Sequence, residues 1–425
     1  MHNAIYFPAS RKLYGIFSFY IGFQVVLDSY SAKIKTTKII FNKEGHMKKR
    51  GLALLIGASM VIGMAGCSGG GSSQTAAPAP AQTSAAAAAD TTAAAGGQEA
   101  PATEAAKDYK DMTGKVVIYT SMYEDIIEAM DNKLDEVFPN MDIEFFYGGT
   151  GTLQSKVAAE MDSGKLGCDI LMVAEPSYAL ELKEANILHP YKFSETDKLL
   201  FDYDPDGYWY PVRMLNMVLA YNPEKYSKDS LPNSFKDFAY DPEMKGSLSM
   251  GNPLTSGTSY AAIVALLDKY GEEYYKALGD QGVAIESGSV ALTKLETGEC
   301  KEVMILEESV LKKREEEGSM LEVIYPTDGV ISTPSPIMII DDAHSANGNA
   351  AACEAVEEWF LSTEGQKYIV AGWMHSVRSD YPNAPYDAIP TSEIMSGVMP
   401  VDWVKCYTQR EEIRTLFQEN VTVPQ

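Results

Sequence analysis

Lys115-Val-Val-Ile-Tyr-Thr120 is a compact apolar strand signal, and the residues that follow it decide the fold. Ile126, Met130, Leu134 and Val137 recur at helical spacing as far as Pro139, so the strand leads into an amphipathic helix. Met141 to Tyr147 reads as a second strand and Gly148-Gly-Thr-Gly-Thr152 as a loop. Leu153, Val157 and Met161 then mark the face of a second helix, closed by Gly164. Cys168-Asp-Ile-Leu-Met-Val-Ala174 is a third strand, broken by Glu175-Pro176. Strands alternating with helices at this spacing predict a parallel sheet covered on both faces.

Further along, the pattern changes. Tyr208-Trp-Tyr-Pro-Val-Arg213 runs into Leu215 to Tyr221 and the turn Asn222-Pro223, which reads as a chain crossing. A second α/β run follows, with strands near 247–250, 283–285 and 303–306 and helices near 258–267, 290–296 and 309–317. Val323-Ile-Tyr-Pro-Thr-Asp-Gly329 and Ile337-Met-Ile-Ile340 then form an extended stretch able to cross back. Two crossings predict two lobes with a cleft between them.

The chain carries 35 Lys and Arg against 59 Asp and Glu, a net charge of −24. Nucleic acid demands clustered Lys and Arg; past the first fifty residues the longest basic run is Lys312-Lys313-Arg314, followed at once by Glu315-Glu-Glu317, so the charge pattern argues against nucleic acid as a partner. Cys168, Cys300, Cys353 and Cys406 are widely spaced, and no disulfide framework is legible; buried thiols and one or two bridges both stay open. His189, His344 and His375 lack zinc-ligand spacing, so neither a metal site nor a cofactor is expected.

Met47-Lys-Lys-Arg50, the apolar run 51–66 and Cys67 have the basic start, short apolar middle and small-residue end of a secretory signal. A membrane span would need about 20 apolar residues. Met64-Ala-Gly-Cys67 resembles a bacterial lipobox, in which Cys67 becomes the lipidated first residue. Residues 1–46 precede this complete signal, and Lys43-Glu-Gly45 can be encoded as a ribosome-binding sequence, so translation is expected to begin at Met47. The exported part then holds 26 basic and 57 acidic side chains, a net of −31. Such a charge repels anionic head groups, which leaves attachment to the lipid. Between Ser68 and Lys107, 36 of 40 residues are Ala, Gly, Ser, Thr, Pro or Gln, with nothing to bury, so residues 67–107 are a lipidated tether spanning roughly 35 Å. The binding body is expected over 108–425, with one lobe near 113–213 plus 331–375 and the other near 218–328 plus 376–425.

Val116-Val-Ile-Tyr-Thr-Ser121, Gly148-Gly-Thr-Gly-Thr-Leu153, Cys168-Asp-Ile-Leu-Met-Val-Ala-Glu-Pro176, Asn252-Pro-Leu-Thr-Ser-Gly-Thr-Ser259, Ser289-Val-Ala-Leu-Thr293 and Glu364-Gly-Gln366 fall in an order that resembles one family. It is that of bacterial extracellular solute-binding proteins of ABC importers, in their ferric-ion-binding and sugar-phosphate-binding branch. The resemblance covers residues 113 to about 375. It implies an α/β, two-lobed periplasmic-binding-protein type II fold with two hinge-crossing strands. It further implies a monomer outside the cell membrane that closes on one small solute and passes it to an ABC permease.

Ser121, the run Thr150-Gly151-Thr152, the run Ser256-Gly257-Thr258 and Ser287 come straight after predicted strands or just before helices. Such loops offer free N–H groups, the positive end of the helix dipole and hydroxyl donors, so they seat phosphate or carboxylate without a basic cluster. Each alone is better read as an ordinary N-cap; their recurrence at strand ends in both lobes points to a small anionic solute. Arginine is scarce in the body, and Arg213 sits in the presumed crossing, so it reads as the preferred charged partner for that anion or, equally, as one half of an ion pair with one of the many carboxylates. Tyr123, Tyr178, Trp209 and Tyr210 offer rings that suit either a sugar or the core.

Ferric-binding relatives hold their metal with a His after the first strand, a Glu after the third and an adjacent Tyr pair. The matching positions here are Tyr123, Glu175 and Glu308-Ser309, so both tyrosinates are lost and ferric iron becomes the runner-up. Glu307 and Glu308, with Asp328, then read as acceptors for ligand hydroxyl or ammonium groups, or as carboxylates suited to a first helical turn. No G-x-S-x-G, S-x-x-K or Walker loop supports an enzyme. A sensory or adhesin lipoprotein of the same fold is the other competing class.

Overall fold

The computed structural model describes residues 109–423. The upstream extension, the signal peptide, lipidated Cys67 and the tether lie outside the described residues. The strands are β1 (Gly114–Thr120), β2 (Met141–Tyr147), β3 (Ile170–Met172), β4 (Leu188–His189), β5 (Tyr210–Tyr221), β6 (Leu248–Gly251), β7 (Ala284–Glu286), β8 (Glu302–Leu306), β9 (Glu322–Ile324) and β10 (Ile331–Ile340). They run through one sheet in the order β2-β1-β3-β10-β5-β8-β6-β7, with β4 beside β10 and β9 beside β5.

Two parallel units sit at its ends. In one, β1 pairs in parallel with β2 and β3; in the other, β6 pairs in parallel with β7 and β8. Between them lie β5 and β10, antiparallel to each other from Tyr210/Ile337 to Met217/Ile331 and buried along their whole length. At one end β10 pairs antiparallel with β3; at the other, β5 pairs antiparallel with β8. These two strands are therefore the hinges of a two-lobed fold. Each parallel unit carries its own apolar core, one including Ile118, Met130, Leu134 and Trp359 and the other including Leu248, Tyr260, Leu278 and Phe417.

The second crossing is longer than the sequence pattern indicates. β10 begins at Ile331, and Ser332 through Pro336 belong to it although Pro334 and Pro336 cannot donate to a ladder. The register shifts between Ser335 and Pro336, where the proline interrupts pairing. Val323 and Ile324, by contrast, form the separate strand β9. Past the second lobe, the Trp403–Thr408 helix packs on both the Gly257–Tyr270 helix and the Ser177–Glu184 helix of the opposite lobe. All four described cysteines are buried free thiols. Among the described residues no helix is long and apolar enough to cross a membrane.

One buried charge gives the fold a pH signature. Glu302 opens β8 with both carboxylate oxygens buried and without hydrogen-bond partners, and burial, reinforced by Asp241, pushes its pKa up to about 9. The folded protein thus keeps a proton that the unfolded chain releases above ordinary carboxylate pH. Its contribution to stability is full below about pH 4.5 and is lost as pH rises towards 9, at a slope of up to about 1.4 kcal/mol per unit. Glu302→Met is expected to flatten that part of the decline. Denaturant unfolding of both proteins from pH 5 to 9 measures it, and parallel curves would show that Glu302 is not the source.

Candidate functional site

The carboxyl ends of the parallel strands in both lobes face one another, the place where open α/β sheets take ligands. Ser121 follows β1, Gly149 follows β2, Ala174 lies beyond β3, Asn252 follows β6, Ser287 follows β7 and Glu308 lies just past β8. These residues line a cavity of about 260 Å³, part of whose wall comes from the hinge residues Arg213, Leu215 and Met217. That volume is far more than a bare ion fills.

Helix N-termini converge on it from both sides. The Thr150–Met161 helix starts at Gly149, the Gly257–Tyr270 helix is capped by Ser256, whose Oγ accepts from Ser259 N, and the Gly288–Thr297 helix is capped by Ser287. Arg213 is wholly buried among them. Its Nε donates to Ser335 Oγ at 3.0 Å, Nη1 to the Met374 sulfur at 3.3 Å and Nη2 to Ser121 Oγ at 2.8 Å. Ser121 Oγ accepts that bond and keeps its own proton to donate. Two of the five guanidinium N–H groups also stay available.

The lobes meet around this cavity. Tyr123 OH lies 3.0 Å from Ser309 Oγ, and Gly151 N donates to Thr255 O at 3.2 Å. Lys312 pairs with Asp125, Arg410 pairs with Glu181, and Tyr407 OH donates to Glu184 Oε2 at 2.7 Å. Burial, assisted by Glu308, raises the Tyr123 pKa and keeps its phenol neutral.

Of the residues singled out in the sequence, Ser121, Tyr123, Thr150, Arg213, Ser256, Gly257, Thr258, Ser287 and Glu308 line the cavity. Others have different duties. Gly151 bridges the lobes through its backbone and Thr152 is exposed on the following turn. Glu175 is buried outside the cavity and accepts from Ser177 N at 2.7 Å; burial raises its pKa against the pull of nearby Arg410. Asp328 takes Phe235 N at 3.1 Å, Lys236 N at 3.0 Å and Tyr270 OH at 2.6 Å, so it caps a helix start rather than meeting a ligand. Glu307 faces the hinge: Asn216 Nδ2 donates to it at 2.8 Å, Tyr325 OH donates to its other oxygen and His375 Nε2 lies 3.0 Å away. Ser332 of β10 completes that network by donating to Asn216 at 2.7 Å.

Tyr178, Trp209 and Tyr210 are core residues; the second aromatic at the cavity is Tyr147. Tyr147, Asn252 and Glu286 were not singled out as site residues in the sequence, although each lies at or next to a strand's carboxyl end, the one signal that marks them. Glu286 is already ion-paired with Lys294. Among the described residues no group of three or more His, Cys, Asp or Glu is placed to hold a metal.

A cleft walled by strand ends from two lobes and spanned by paired hinge strands defines a ligand-trapping protein of the periplasmic-binding type. Residues 168–394 match the family described as bacterial extracellular solute-binding protein, and the chain belongs to that family. A Haemophilus influenzae protein of uncharacterised function is 23% identical over 268 residues, covering 60% of this chain and 75% of that one. Among solved structures, the periplasmic binding protein AfuA from Actinobacillus pleuropneumoniae, with exogenous fructose-6-phosphate bound, superposes with a TM-score of 0.63 at 20% identity, covering 74% of this chain and all of that one. Iron-bound HitA from Pseudomonas aeruginosa gives 0.62 at 19% identity over 72% of this chain and 99% of that one. At these identities the likeness is one of fold. Membership of the family makes this a binding protein, not an enzyme.

Proposed function

We propose that the protein captures a small anionic organic solute, of sugar-phosphate or phosphonate type, and delivers it to an ABC permease from a lipid anchor on Cys67. The observation that carries this reading is a cavity served by Arg213, hydroxyl donors and helix N-termini from both lobes. Neutral peptide N–H groups and one guanidinium stabilise an anion without a basic cluster at the cavity. AfuA, solved with a sugar phosphate, favours this class. HitA, solved with iron, favours the alternative. Against iron, Tyr123 and Glu308 line the cavity but Glu175 does not, so the three matching positions do not converge.

Isothermal titration with hexose phosphates, 2-aminoethylphosphonate and ferric citrate tests the choice. Micromolar or tighter binding of an organic phosphate or phosphonate is expected, at about −8 kcal/mol or better. Tight binding of iron alone would sink it. Native mass spectrometry of the purified protein adds a search for whatever solute stays attached.

A further inference from the structure

Glu308 is the one cavity group whose chemistry the anion reading leaves unused. Its side chain is 7% exposed and its Oε2 is buried without a hydrogen-bond partner, at the first turn of the Glu307–Glu317 helix where the cavity begins. No ion pair reaches it among the described residues. Arg213, the nearest cation on the hinge, spends three of its contacts on Ser335, Met374 and Ser121, while Lys312 turns to Asp125 and Glu316. A buried carboxylate costs several kcal/mol unless paired and hydrogen-bonded, so the missing partner is a chemical demand on the ligand.

We infer that the Glu308 carboxylate is the seat of a protonated amine on the solute, which makes the ligand an aminoalkyl zwitterion with its anionic end at the helix N-termini. The inference rests on the anion reading above and narrows it. A neutral hydroxyl fills a lone pair but leaves the charge to Arg213 and Lys312, neither of which contacts the carboxylate; an ammonium fills the lone pair and meets the charge. The apolar wall agrees, because Leu215 and Met217 of β5 and Met304 of β8 offer methylene contacts rather than partners for a ring of hydroxyls. Balance of charge agrees too: Glu286 is matched by Lys294, leaving Arg213 and Glu308 for the two ends of a zwitterion. Burial pushes the Glu308 pKa up to about 7, with Arg213 and Lys312 opposing and Glu307 adding to the rise; Tyr123 and Tyr147 also feel its charge.

The test is titration of matched probes at pH 8, where Glu308 is ionised. O-phosphoethanolamine is set against ethyl phosphate, and 4-aminobutyrate against butyrate. In whichever anion class binds, the amine member is expected to be at least about tenfold tighter. Glu308→Gln should collapse that ratio towards one. Wild-type protein supplies a check free of any folding defect: the ratio should shrink from pH 8 to 5.5 as Glu308 takes up its proton; the two carboxylate probes stay ionised over that range, and the phosphate pair is compared after correction for the lower second phosphate pKa that the ammonium imposes. Equal affinities within a pair, or an amine preference that survives Glu308→Gln, overturn the ammonium seat and leave the anion reading standing. Failure of all four probes overturns both.

Discussion

Gly257→Leu is expected to hold the two lobes apart and weaken solute binding by at least about 100-fold, close to 2.7 kcal/mol. Gly257 opens the Gly257–Tyr270 helix and is not among the glycines with a left-handed φ, so its backbone does not require glycine. What requires it is the other lobe. A Cβ built there lies 3.0 Å from Thr150 Oγ1, 3.1 Å from Thr150 Cγ2 and 3.2 Å from Ala174 Cβ. Thr150 cannot simply step aside, because its Oγ1 accepts from Ala174 N at 3.2 Å. A leucine adds three more carbons in that direction. Since the collision falls between lobes, it can be relieved by opening about the hinge strands rather than by unfolding either core. The prediction is therefore a larger radius of gyration in small-angle scattering, lost affinity, and a melting temperature near that of the wild type. Gly151→Val, whose Cβ would meet Thr255 Cα and O at 3.2 Å, should do the same from the opposite wall. Unchanged affinity for both variants would mean that the contacts at Gly151 and Gly257 are not part of the ligand-holding form.

How far this site was legible in the sequence depends on what each residue's neighbours reveal. Polar loops after β1, β6 and β7 could be placed because an apolar strand precedes each and a helix follows, and position at a strand end is what brings them together. Glu307 and Glu308 could not be told apart. They are adjacent in one first turn, about 100° apart around the helix, so one faces the hinge network of Asn216, Tyr325 and His375 and the other the cavity. Which is which depends on where β5 and β10 lie beneath them. Asp328 misled for a related reason: a carboxylate that caps a helix distant in sequence, here at Phe235, looks the same in one dimension as one awaiting a ligand. The first half of β10 was hidden by its own composition, since Ser332, Thr333, Pro334, Ser335 and Pro336 lack the apolar run that marks a strand.

Arg213→Ala is expected to damage binding and stability together. Truncation removes the one guanidinium that lines the cavity among the described residues and should weaken an anionic solute by about 1.5–3 kcal/mol, roughly 10- to 100-fold. The same side chain is fully buried and ties Ser121 behind β1 to Ser335 of β10 and to Met374. Its loss leaves a void where the first lobe meets the hinge, at a cost of the order of 3 kcal/mol in unfolding free energy. Arg213→Lys divides the two effects. Lysine keeps a positive charge near the anion but cannot span three partners with one ammonium, so part of the affinity should return and little of the stability. Arg213 also holds the Glu308 pKa down, so its removal should drive Glu308 further towards the neutral acid and erase any preference for an amine at neutral pH. Titration of phosphoethanolamine and ethyl phosphate into wild type, Arg213→Ala and Arg213→Lys, beside urea unfolding of each, separates these outcomes. Full affinity in Arg213→Ala would remove the guanidinium from the binding site and leave it only a structural tie.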